Sequence, residues 1–162
     1  MIGAREEPAL RRKFVAAALL IAYLALLVHL TLFRFRVAHA DRNFVPFRTI
    51  AHDLRVGGRE FLINGPGNLA AFVPMGLLLP ALLGRRCSAP RVAAISLALS
   101  LVIEVLQGYS GRRVADVDDL LLNTAGGLIG YGLALGARRL ARGGGRGGES
   151  RNVDDLPADQ KA

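Results

Sequence analysis

Ser100, Glu104 and Gln107 stand in a run of Leu, Val and Ile at spacing i, i+4, i+7, which puts all three on one face of a helix. Arg112 and Arg113 follow, then Asp116, Asp118 and Asp119, then Asn123. Asp116, Asp119, Asn123, Gly127 and Gly130 also fall roughly on one helical face. Two chemistries suit such a set. Glu104 with Asp116, Asp118 or Asp119 supplies hard oxygen ligands for a divalent cation, and the cation would meet a phosphate. Alternatively, arginines grip an anionic group while Glu104 or an aspartate serves as general acid or base. A pure binding site would use the same residues without a reaction. The chain has no Gly-x-Ser-x-Gly, no His-Glu-x-x-His and no P-loop. Its single cysteine, Cys87, excludes an intrachain disulfide, and His29, His39 and His52 match no metal-ligand spacing.

Each polar residue also has a plainer role. Asp116 suits an N-cap, with Asp118 and Asp119 in a first helical turn that favours negative charge. Asn68 follows a Gly-Pro-Gly turn and suits a cap for the next helix. Gln107 suits an interfacial position. Glu104 is harder to account for, because a carboxylate inside an apolar membrane helix costs a few kcal/mol unless it is paired or wetted. Arg112 or Arg113 is the expected partner.

The elements that must position these groups are apolar blocks. The chain has 162 residues, 52% of them hydrophobic, and a mean hydropathy of +0.34. The blocks are long rather than alternating, which is the pattern of a membrane protein. Residues 14–33 carry no formal charge, and twenty residues at about 1.5 Å each span about 30 Å, one hydrocarbon core. The basic run Arg11-Arg12-Lys13 and the Ala38-His39-Ala40 triplet resemble a signal peptide. The apolar run is longer than a usual signal core, and Arg34 and Arg36 intervene, so an uncleaved first membrane helix is expected. Residues 69–83 form the second block. Pro74 and Pro80 inside it predict a kinked span, with a re-entrant segment as the alternative. Residues 92–107 and 120–140 form the third and fourth. Gly126-x-x-x-Gly130 permits close approach of another helix. The expectation is an all-α integral membrane bundle of four transmembrane helices, with a short interfacial helix within residues 49–62. Residues 1–13 are a basic N-terminal segment, 14–140 the membrane domain, and 141–162 a Gly- and Arg-rich tail with too little apolar content to fold.

The net charge of +8 and pI near 10.9 would suit nucleic acid, but the basic residues flank apolar blocks and form no stripe of their own. No nucleic-acid partner is expected; the lipid bilayer is. Of the 21 Lys and Arg, 13 fall on the N-terminal segment, the 84–91 turn and the stretch from Arg138 to the end, against 8 on the opposite connections, which favours both termini in the cytoplasm. In that orientation Glu104, Gln107, Asp116, Asp119, Asn68, the 43–47 loop, Arg112 and Arg113 all reach the outer level.

The motifs form a recognisable series: Asn43-x-x-Pro46-Phe47, then Gly67-Asn68-Leu-x-x-Phe-x-Pro-x-Gly76, then Ser100-x-x-x-Glu104-x-x-Gln107. Last comes Arg113-x-x-Asp116-x-x-Asp119-x-x-x-Asn123-Thr-x-Gly126-Gly127-x-x-Gly130. This series resembles the VanZ-like membrane proteins over residues 42–132, a family named for a protein linked to low-level teicoplanin resistance. The resemblance implies a small four-helix bacterial membrane protein in which Asn43, Asn68, Glu104, Gln107, Arg113, Asp116, Asp119 and Asn123 occupy the polar positions of the motif. The expected function is action at the outer face of the cytoplasmic membrane on an anionic envelope lipid or glycan precursor, such as a polyprenyl phosphate, with a link to glycopeptide susceptibility. Glu104, Asp116 and Asp119 are the expected catalytic groups, and Asn43, Asn68, Gln107, Arg112, Arg113 and Asn123 the expected substrate contacts. The alternative is a non-catalytic assembly protein whose polar residues are interhelical glue, and a small transporter or channel subunit is a third, weaker reading.

Overall fold

A computed structural model describes residues 6–31, 43–58, 62–109 and 116–143. Residues 144–162 of the expected tail and Arg112 and Arg113 lie outside the described residues, while residues 141–143, expected in the tail, continue the last helix. Within them the chain is helical, with no strand. Helix α1 is Glu6–His29, α2 is Arg48–Val56, α3 is Asn68–Leu83, α4 is Ala89–Tyr109 and α5 is Val117–Gly143. A π-helical turn, Ile63–Gly67, leads into α3, and a 3₁₀ turn, Gly84–Arg86, leaves it. Four segments are long and apolar enough to cross a membrane: Leu10–His29, Gly65–Arg86, Ala89–Gln107 and Val117–Gly143. This is a multi-pass membrane protein.

The second block is one unbroken α-helix through Pro74 and Pro80. Its 16 residues are about 24 Å long, and the flanking turns extend the apolar segment to 22 residues, enough for a full crossing. The expected surface helix is shorter than the 49–62 window. It ends at Val56 because Gly57 and Gly58 take left-handed backbone angles, φ +68° and +81°, that a helix cannot continue.

Helix α3 lies between α1 and α5 and packs most extensively on α5, which also packs on α4. The α3–α5 approach is close because glycines face backbone. A Cβ at Gly126 would run into the carbonyl oxygen of Leu69, and one at Gly130 into that of Val73. The small-x-x-x-small spacing is therefore used within the chain. The core is Leu27, Phe72, Met75, Leu79, Val92 and Ile103. Tyr23 stitches α1 to α3 by donating its hydroxyl to the Ala71 carbonyl at 2.6 Å. Phe14, Leu19, Ile21, Leu101, Val102 and Leu133 are exposed on the bundle surface, as a lipid-facing surface requires.

Candidate functional site

The polar residues meet at one end of the bundle, where α1 and α4 finish and α3 and α5 begin. The 43–50 segment lies across that end. Asn43 forms an isolated parallel bridge with Asp116, and the Val117 N–H donates to the Asn43 carbonyl at 3.1 Å. The Asn43 side-chain amide donates to Asp116 Oδ1 at 2.9 Å and to Thr49 Oγ1 at 3.0 Å, while its Oδ1 accepts from the Val45 N–H at 3.0 Å. Asn43 is buried and is an internal clasp.

Asp116 caps α5, as its position suggested: Oδ1 accepts from the Asp118 N–H at 2.9 Å. Its other oxygen accepts from the Thr49 hydroxyl at 2.5 Å. Asp118 stands in the first turn of α5, as expected, and has a second job. It is 1% exposed, and its carboxylate reaches across to α2. Oδ1 accepts from the Phe47 N–H at 2.5 Å, and Oδ2 from those of Thr49 and Ile50 at 2.8 and 3.1 Å. Asp118 thus caps a helix some seventy residues away in sequence. It also holds Phe47, a non-glycine residue at φ +65°, a conformation that costs on the order of 1–2 kcal/mol.

Asn68 is not a helix cap. Its backbone is already helical, with φ −63° and ψ −43°, and its side-chain amide donates to Asp119 Oδ1. The pair ties the start of α3 to the start of α5. Gln107 is buried rather than interfacial, and its amide donates to the Thr31 carbonyl at 3.2 Å, joining α4 to the end of α1. Glu104 is 6% exposed, and its Oε2 accepts from the Asp116 N–H at 3.3 Å. Its carboxylate therefore faces the N-terminal end of α5, where helix dipole and charge agree. The expected pairing with Arg112 or Arg113 lies outside the described residues.

One turn deeper, Asn123 donates its amide to Ser100 Oγ at 2.7 Å. Asn123 Oδ1 and the Ser96 hydroxyl are buried and have no hydrogen-bond partner in the described protein. Ser96 and Thr49 were not singled out from sequence. Ser96 had a signal, because it extends the 100, 104, 107 row by one turn. Thr49 had none, because its contacts are long-range. Thr49, Asp53, Gly65, Asp118 and Asp119 line a cavity of about 20 Å³, about one water in size. Among the described residues no three His, Cys, Asp or Glu side chains are placed to share a metal ion. The carboxylates of Asp116 and Asp118 are instead aimed at N–H and O–H donors.

Residues 20–139 match the VanZ/LLP1 family model, which takes in the second half of the first crossing segment, nearly all of the other three and the whole polar hub. The chain belongs to the VanZ/LLP1 family. It is 30% identical over 133 residues to Protein VanZ of Enterococcus faecium, an alignment that covers 75% of this chain and 76% of that protein. No solved structure matches it. The hub of this VanZ/LLP1 member accounts physically for the polar positions of the motif: Asn43 with Asp116, Asn68 with Asp119, and Ser100 with Asn123 are hydrogen-bonded pairs between segments distant in sequence.

Proposed function

We propose that this VanZ/LLP1 member acts at the outer face of the bacterial cytoplasmic membrane, where its polar hub binds or modifies an anionic envelope lipid or glycan precursor of the polyprenyl-phosphate type. The observation that carries this reading is the convergence of polar side chains from four separate segments at one end of an apolar bundle, with the Asn123 Oδ1 acceptor left unmet. A buried acceptor without a donor costs about 1–3 kcal/mol and calls for an explanation beyond packing. Glu104 and Asp119 are the central groups. Asp116, spent on Asn43, Thr49 and its own helix, positions them. Arg112 and Arg113, beside the hub in sequence, supply the cationic grip on a phosphate. The exposed Phe44, Val45, Phe47, Leu54 and Val56 around α2 give an apolar lip at lipid-headgroup level.

A photoreactive polyprenyl phosphate added to intact spheroplasts tests this. Crosslinks are expected in the 43–50 segment and the start of α5, with their yield changed about tenfold or more in Glu104→Gln, which removes the buried charge at the centre of the hub. Labelling spread evenly along the lipid-facing helix surfaces, unchanged in the variant, would refute it.

The orientation has its own test. Among the described residues nine Lys and Arg stand at the end opposite the hub, against Arg48 and Arg55 at the hub, which supports a cytoplasmic basic end. Cys87 lies at that end. Burial pushes its thiol up, with Arg138 and Arg91 opposing, so labelling is slow at neutral pH and quickens as pH rises. An impermeant maleimide at alkaline pH should spare Cys87 in intact cells and label it after permeabilisation. Val45→Cys in a Cys87→Ser background should be labelled already in intact cells, and labelling of Cys87 in intact cells would invert the orientation.

The assembly-protein reading draws on one observation: the hub's aspartates are largely satisfied within the chain, and the cavity beside them holds about 20 Å³. It predicts that carboxylate-to-amide changes matter only in proportion to lost stability.

A further inference from the structure

The end of the bundle opposite the hub carries a second feature. Arg12 and Lys13 of α1, Arg138 and Arg142 of α5, and the Gly84 turn line a cavity of about 410 Å³, within the range of small-ligand sites. Among the described residues no acidic side chain lines it. A second cavity of about 400 Å³ adjoins it, sharing Arg12 and Ala81. Val15, Ala16, Leu19 and Leu78 make that second cavity an apolar groove between α1 and α3, running from the charged end toward the membrane interior. Positive-inside charges alone would be scattered over an interface. Here four cations from two helices surround one concavity that opens onto an acyl-sized groove.

We infer that this is a binding site for an anionic phospholipid, with the phosphate held by Arg12, Lys13, Arg138 and Arg142 and one acyl chain lying in the Val15–Leu19–Leu78 groove. The charge complementarity selects an anionic headgroup, and the groove selects a lipid over a free phosphate. The site is separate from the hub, lying at the other end of α5, and stands whether or not the hub acts on a lipid.

The test is native mass spectrometry of the purified full chain, given phosphatidylglycerol, phosphatidylcholine or inorganic phosphate. The wild type should retain phosphatidylglycerol about tenfold over phosphatidylcholine and should hold no phosphate alone. Arg138→Gln with Arg142→Gln should remove that preference. Arg85→Gln with Arg139→Gln, which removes the same charge from exposed positions outside the cavity, should keep it. Equal loss in both double variants would reduce the effect to general electrostatics and overturn the site. So would equal retention of the two lipids by the wild type, a comparison that needs no variant to fold, or retention of inorganic phosphate alone. Glu104→Gln should leave this retention unchanged, which separates it from the hub's ligand.

Discussion

Gly126→Leu is expected to abolish the folded bundle, whereas Gly132→Leu, six residues along the same helix, is expected to be tolerated. The two glycines are alike in sequence context and opposite in surroundings. A Cβ at Gly126 would meet the Leu69 carbonyl, main chain that cannot move without displacing the start of α3. At Gly132 nothing lies within 4 Å. Overpacking against side chains costs about 1–3 kcal/mol, and against backbone the helices must part, so the cost at Gly126 lies at or above that range. It would also break the nearby Asn68–Asp119 pair, because both residues sit where α3 and α5 meet. Fluorescence-detected size exclusion in mild detergent reads this directly. The expected result is a monodisperse peak at wild-type height for Gly132→Leu and an aggregated or missing one for Gly126→Leu. Equal peaks would mean that α3 and α5 do not approach as described.

Asp118→Ala is expected to undock α2 without unfolding the four spans. The carboxylate accepts three backbone N–H groups at the start of α2, and hydrogen bonds to a charged acceptor contribute about 1.5–3 kcal/mol each when both partners are buried. Phe47 is exposed and regains water when the bond is lost, so the net cost is on the order of 3 kcal/mol. For a chain of this size that lowers Tm by about 10 °C. Hydrogen exchange should quicken in α2 and the 43–50 segment while the α3–α5 core stays protected. Asp118→Asn keeps one acceptor oxygen and should fall between. Unchanged exchange in α2 would show that Asp118 does not hold it.

These two variants also mark what the sequence made legible. The four spans were readable because lipid leaves a helix few alternatives to a long apolar run, and that signal is one-dimensional. The helix ends were not. Hydropathy reports the membrane, so it placed the start of the first block at Phe14, while α1 begins at Glu6 and α5 continues past Arg138 to Gly143. The Ser100–Glu104–Gln107 row was readable from helical periodicity, and all three side chains are buried. Asp116 as a cap was readable for the same local reason. Asp118 as the cap of α2 was not, because its partners lie 68 to 71 residues away and no local pattern announces them. Asn68 misled because a side chain beside a turn reads as a cap until the facing helix supplies Asp119.

Asp118 and Gly126 concern how the hub is held. Whether it has a ligand turns on Glu104, the carboxylate that the 100–107 row sets against the N-terminal end of α5. The most direct measurement is mass spectrometry of lipids carried by the protein extracted in native nanodiscs, with wild type, Glu104→Gln and Asp119→Asn compared at matched folded amounts. The expected result is enrichment of a polyprenyl phosphate or related anionic precursor in the wild type, with its amount or chemical form changed about tenfold or more in both variants. The same lipid profile in all three proteins, each folded, would contradict a hub that binds or modifies a lipid and leave its polar pairs as glue between helices.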